Sequence, residues 1–118
     1  MAGGHTVLVV DDEPAIRFLC RVNLELEGVR VLEASTLDEA RSALAEAPNL
    51  VLLDLHVGAE HGVDLLTEIR ADHPDVRVVL LTGTAELSEA ERELADGVLG
   101  KPFNLEQLAS TVRRFAPV

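Results

Sequence analysis

The stretch "LVLLDL", residues 50–55, sets four consecutive apolar side chains before an aspartate, Asp54. Unbroken rather than alternating hydrophobicity over so short a span is the pattern of a strand covered on both faces, as in a parallel sheet. Four further runs share its character: "TVLVV" (6–10), "VRVLEA" (29–34), "VRVVLL" (76–81) and "GVLG" (97–100). Between the runs, apolar residues recur at helical spacing. Leu37, Ala40, Leu44 and Ala47 do so in the second interval, and Leu105, Leu108, Ala109 and Val112 do so in the last. The chain therefore reads as a βα unit repeated five times.

Punctuation supports those boundaries, because helix ends need side chains or special dihedrals to satisfy their unpaired backbone groups. Pro14 stands in a first helical turn, and Gly28 falls just past that helix. "TLDE" (36–39) and "SEAE" (88–91) have the capping-box form, and "NLEQ" (104–107) is an equivalent led by Asn. Pro48 and Pro74 close the second and third helices. Alternating strands and helices predict a parallel sheet with right-handed crossovers and helices on both faces, an α/β/α domain of three layers. With 118 residues and 47% hydrophobic content, residues 1–118 read as a single domain with one filled core.

The bulk composition narrows the function. Ten basic against twenty-one acidic side chains give a formal charge of -11, which opposes direct binding to nucleic acid. Three phenylalanines with no Trp or Tyr leave little to stack on bases, sugars or flavin rings. The single cysteine, Cys20, excludes an internal disulfide and a cysteine-based zinc site, which fits a reducing compartment. There is no basic segment followed by an apolar signal core, and no apolar run of membrane-spanning length. A cytoplasmic protein without a membrane partner is the expectation.

The polar residues at the ends of the apolar runs carry the chemistry. Asp11 and Asp12 end the first run, Asp54 lies near the end of the third, Thr82 comes after the fourth and Lys101 after the fifth. In a parallel sheet all strand C-termini share one edge, the edge at which open α/β sheets bind ligands. Three carboxylates gathered there repel one another and raise a pKa unless a cation intervenes. Mg²⁺, which takes one or two carboxylates and keeps positions for water or phosphate oxygens, suits this sparse set better than Ca²⁺ does. Lys101 supplies a point charge for an anion and Thr82 a hydroxyl donor. Taken singly these residues are a helix cap, a turn residue and a loop lysine; their joint placement at four strand ends describes a carboxylate poised to accept a phosphoryl group. His5, His56, His61 and His73 show no metal-ligand spacing and read as surface or loop residues.

Four motifs, "VLVVDDEP", "VLLDL" with Gly62 after it, "LLTGTA" and "KPF", in this order on a fivefold βα pattern, resemble the receiver domain of two-component response regulators. The resemblance implies a doubly wound, flavodoxin-like, five-stranded parallel sheet. It also implies roles: Asp54 as phosphoacceptor, Asp12 as direct Mg²⁺ ligand, Asp11 as a ligand through a metal-bound water, and the backbone carbonyl of His56 completing the metal site. By the same similarity Lys101 pairs with the phosphoryl oxygens, Thr82 is the switch hydroxyl, and the Lys101–Pro102 peptide is cis. The implied partner is a sensor histidine kinase or a histidine phosphotransfer protein, with a homodimer or a fused effector domain left open. Such a chain is not a conventional enzyme, since only self-phosphotransfer and autodephosphorylation are expected.

Three departures accompany the match. Val98 stands three residues before Lys101, where receivers carry a switch Tyr or Phe. Thr82 and Lys101 are 19 positions apart, about one helical turn short of the family spacing, which predicts a stunted fourth helix from Glu89 to about Asp96. Gly58 replaces a proline after the phosphoacceptor, which predicts a looser loop. Two alternatives stay open beside phosphorylation: a receiver-like interaction scaffold, and a Mg²⁺-dependent phosphatase working through an aspartyl phosphate.

Overall fold

Each apolar run becomes a strand in the computed structural model, which describes residues 5–83 and 87–116. In chain order the elements are β1 (Thr6–Val10), α1 (Pro14–Glu25), β2 (Arg30–Ala34), α2 (Leu37–Ala43), β3 (Leu50–Asp54), β4 (His56–Val57), β5 (Glu60–His61), α3 (Gly62–Asp72), β6 (Arg77–Thr82), α4 (Glu89–Leu94), β7 (Gly97–Gly100) and α5 (Leu105–Phe115). Five strands form one sheet in the order β2-β1-β3-β6-β7, every neighbouring pair parallel. The order changes direction between β1 and β3, which makes the gap beyond their C-termini the switch point.

Side-chain alternation divides the sheet residues between two cores. Leu8, Val10, Val51, Leu53, Val78 and Leu80 meet α2 and α3 on one face. Val7, Val9, Leu50, Leu52, Val79 and Leu81 meet α1 and α5 on the other, where Cys20, Leu24, Leu108 and Val112 fill the space. Residues 50–53 of β3 are wholly buried, as the unbroken hydrophobicity of that run predicts. Among the described residues no helix is long and apolar enough to cross a membrane.

The caps behave mostly as expected. Pro14 opens α1, and Ser88 and Asn104 head complete capping boxes with Glu91 and Gln107. At "TLDE" only half a box forms. The Thr36 hydroxyl accepts from Glu39 N, but the Glu39 carboxylate takes the amide and hydroxyl of Ser35 instead of the amide of Thr36. Those Ser35 bonds hold the Glu39 carboxyl below its ordinary range. The second helix also stops earlier than its periodicity suggests. After Ala43 it tightens into a 3₁₀ turn over Leu44–Glu46, and Ala47 leaves in the left-handed region at φ 53°. Ala47 is thus an exposed terminator; apolar spacing does not register the tightening of a last turn.

The fourth helix is short, as the spacing predicts, and has six residues, none buried. It is held at its C-terminal end by Arg70 of α3, which donates from Nε to the Leu94 carbonyl (2.7 Å), from Nη1 to the Val76 carbonyl (3.0 Å), and from Nη2 to the Asp96 carboxylate. Asp96 also accepts from the Val78 amide. These polar ties act together with the flanking Leu87 and Ala95, which pack against the core on the α2 and α3 face.

The loop after Asp54 departs from expectation. In place of a looser segment it folds into the antiparallel pair β4–β5, joined by Gly58 and Ala59 and closed by a 2.7 Å bond from the Gly62 amide to the Leu55 carbonyl. Gly58 takes φ 62°, a left-handed value that a proline or a bulky residue would not supply at the first position of such a turn. The missing proline is therefore replaced by a different turn chemistry.

Candidate functional site

Asp11 follows β1, Asp54 and Thr82 close β3 and β6, and Lys101 follows β7, so the sheet brings all four to its C-terminal rim. Asp11 is wholly buried. Its amide donates to the Ala34 carbonyl, its Oδ1 accepts from the Glu13 amide at 2.9 Å, and its carbonyl accepts from Arg17 Nη1 at 2.6 Å. Asp54 is 8% exposed and its Oδ1 accepts from the His56 amide at 3.1 Å.

Lys101 joins the two acids. Its ammonium lies 2.8 Å from Asp11 Oδ2 and 3.0 Å from Asp54 Oδ2, and 3.7 Å from Glu13 Oε1. One cation shared by two buried carboxylates leaves the three groups unequally satisfied. Burial works against the charge of Lys101, but its bonds to Asp11 and Asp54 outweigh that and raise its pKa. Burial pushes Asp54 above the ordinary carboxylate value and the Asp11 charge adds to this, while the His56 amide and the shared Lys101 pull only part of the way back. The peptide between Lys101 and Pro102 is cis.

Asp12 is exposed, yet one carboxylate oxygen from each of Asp11, Asp12 and Asp54 lies within 4.8 Å of the others. This all-oxygen donor set, fully buried at one member and open at another, fits a hard divalent cation. The Thr82 hydroxyl is buried and donates to the Gly83 carbonyl at 3.0 Å, so it is not engaged with Asp54 here. His56 offers its amide to Asp54 while its side chain is exposed. A cleft of about 340 Å³ lined by Glu13, Ile16, Lys101, Pro102 and Phe103 opens beside the lysine.

Two supporting residues escape a reading of the sequence for chemistry. Arg17 is one turn into α1 and fixes the Asp11 carbonyl; its spacing from Asp11 is the only signal, and many helix arginines share it. Gly62 opens α3 against β3: a Cβ there would lie 2.2 Å from the Asp54 carbonyl oxygen. The glycine is noticeable as part of a motif, but its reason is steric and appears only when α3 is seen to abut the strand that carries Asp54. Val98 is partly buried on β7 opposite Leu80. Phe115 covers Gly97, where a Cβ would come within 2.5 Å of the ring.

A doubly wound parallel sheet with an acid cluster and a lysine on its C-terminal rim defines a class, and the sequence matches the response regulator receiver domain over residues 7–113. The chain belongs to that family and is a receiver domain of the two-component type. It is 37% identical to the sensor kinase CckA of Brucella abortus over 119 residues, covering 96% of this chain and 13% of that protein. It is 28% identical to sporulation initiation phosphotransferase F of Bacillus subtilis, covering 95% of this chain and 94% of the relative. Among solved structures, the receiver domain of NtrX from Brucella abortus superposes with a TM-score of 0.85 at 34% identity, over 92% of this chain and 95% of that one. The response regulator TrrA from Thermotoga maritima, solved in complex with Mg(2+)-BeF, gives 0.85 at 32% identity over 94% and 98%. Against several longer curated relatives the chain spans only part of their length, from 13% to about half.

Proposed function

We propose that residues 1–118 act as a single phosphoacceptor receiver, with Asp54 taking a phosphoryl group from a phosphohistidine on a sensor kinase or phosphotransfer protein. The observation that carries this reading is the ammonium of Lys101 bridging Asp11 Oδ2 and Asp54 Oδ2 on an open rim. A carboxylate oxygen of Asp54 attacks phosphorus, the P–O bond forms as the P–N bond breaks, and the imidazole nitrogen of the donor keeps the P–N electron pair and takes up a proton from solvent. Charge neutralisation and alignment are what phosphoryl transfer chiefly asks of a protein. Asp11, Asp12, Asp54 and the His56 backbone carbonyl would hold Mg²⁺. When bound, such an ion neutralises charge on the phosphoryl oxygens.

The chain's own groups do the rest. Lys101 is within reach of Asp54 already and transfers its contact to a phosphoryl oxygen, and the burial that raises the Asp54 pKa also keeps water from the acyl phosphate. Thr82 exchanges the Gly83 carbonyl for a phosphoryl oxygen, which moves the segment after β6 and turns a local charge change into a surface change. The chain is then a cytoplasmic switch, not a turnover enzyme. The Mg(2+)-BeF complex of a similar regulator supports the assignment by analogy.

Incubation with Mg²⁺ and a small phosphodonor, followed by intact-mass measurement, tests the proposal. A single phosphoryl adduct on the wild type, absent from Asp54→Asn, is the expected result. No adduct on the wild type, with a cognate kinase also tried, would favour the constitutive scaffold, a reading that draws on the six-residue α4 and Val98.

A further inference from the structure

We infer that the outer face of α1 is a self-association surface, and that it is covered by a second copy of this chain, set antiparallel across a two-fold axis near Val22. Phe18, Val22 and Leu26 are all exposed and follow one another at the i, i+4 spacing that puts side chains on one face of a helix. Phe18 is 59% exposed and Leu26 80%. Single exposed apolar residues are ordinary, whereas a contiguous row of them marks a surface that meets something.

The same face carries a recess that matches the row. Between the end of α1 and the start of α5 lies a cavity of about 160 Å³, walled by Leu24, Leu26, Leu105, Leu108 and Ala109. An apolar cavity of about 150 Å³ takes a benzene ring, so the recess has the size of the Phe18 phenyl. Phe18 does not line its own recess. Turning a second α1 antiparallel about Val22 brings Phe18 of each copy level with Leu26 of the other, and both recesses fill at once, as an isologous interface requires. Charge selects the same arrangement. Arg21 and Glu25 stand one turn apart on one flank of the row, so the two-fold sets Arg21 of each copy beside Glu25 of the other. Glu25 is exposed and has no ion pair among the described residues. Arg21 holds its guanidinium carbon 5.5 Å from the centre of the Phe18 ring, and its pairing with Glu33 leaves its side chain 39% exposed. The formal charge of -11 opposes association in general, and two reciprocal pairs offset it where the copies meet.

Sedimentation equilibrium of the whole chain, from about 5 µM to 500 µM, tests the inference. A monomer–dimer equilibrium with a dissociation constant of about 10–100 µM is expected, since two opposed helices of this length make a small interface. Phe18→Ala should weaken it about tenfold or more. Arg21→Glu and Glu25→Arg should each weaken it about threefold or more by setting like charges together, and the chain carrying both exchanges, whose net charge is that of the wild type, should return to within about threefold. Leu94→Ala, at an exposed apolar residue of α4, should associate as the wild type does. A wild type monomeric throughout that range, an unchanged constant in Phe18→Ala, an equal loss in Leu94→Ala, or a double exchange no tighter than either single one would overturn the surface. Far-UV circular dichroism of each variant separates lost association from lost fold.

Discussion

The end of β3 and the short helix α4 belong to the same domain but are held by different physics. Residues 50–53 have no exposed surface and are gripped from both faces of the sheet, so Asp54 leaves a rigid strand. Helix α4 buries none of its own residues and is positioned by a capping box at one end and Arg70 at the other. Apolar burial fixes the strand end that carries Asp54. Polar ties, easier to break and remake, hold the segment that lies downstream of Thr82.

The largest effect that would sharpen this contrast is in the strand. Leu52→Ala should cost about 2–5 kcal/mol of stability by leaving a cavity that two packed layers cannot close; a urea denaturation midpoint unchanged from wild type would break the comparison. Next comes Cys20, buried where α1 meets the sheet, whose thiol is pushed up to about 12, first by burial and then by the Asp11 charge. A raised folded pKa keeps its stabilising share below the unfolded value of 9.0 and loses it as pH climbs through the folded one. Stability should therefore fall between pH 9 and 12 at up to about 1.4 kcal/mol per pH unit in the wild type, with a shallower fall in Cys20→Ala measured in parallel.

Gly62→Ala ranks third. The added Cβ has backbone as its obstacle, so about 1–3 kcal/mol is expected, together with slower phosphoryl acceptance at Asp54. Normal acceptance rates in a folded Gly62→Ala protein would show that α3 does not set the acceptor's position. Smallest is Arg70→Ala, at about 1 kcal/mol because the guanidinium is partly exposed. Its signature should be local: hydrogen exchange should quicken at the amides of α4 and of Asp96, and stay as in the wild type through β3.

The strong region is also the legible one. Runs 6–10 and 97–100 become strands with unchanged bounds, and the others shift by one residue at one or both ends. Continuous hydrophobicity records burial on two faces, and Asp11, Asp12, Asp54, Thr82 and Lys101 can be gathered on one rim because parallel strands share an end. What stays hidden is local and polar. The β4–β5 turn has no alternating pattern to announce it, Glu39 takes Ser35 over Thr36 among equivalent donors, and Ala47 ends a helix by a dihedral that spacing does not encode. The need for glycine at positions 62 and 97 depends on a carbonyl and a ring brought there from distant stretches of chain.

The division of each strand between two cores has a consequence for how this domain can change. Leu8 and Val9 are chain neighbours, yet one answers to α2 and α3 and the other to α1 and α5. Residues that share no partners tend to act additively, whereas those in one cluster couple. Substitutions at adjacent positions are then free to drift independently, while Val9 and Leu108, ninety-nine residues apart in the sequence, must be revised together. The sheet works as a partition that lets the two halves of the domain have separate mutational histories around one fixed row of strand ends.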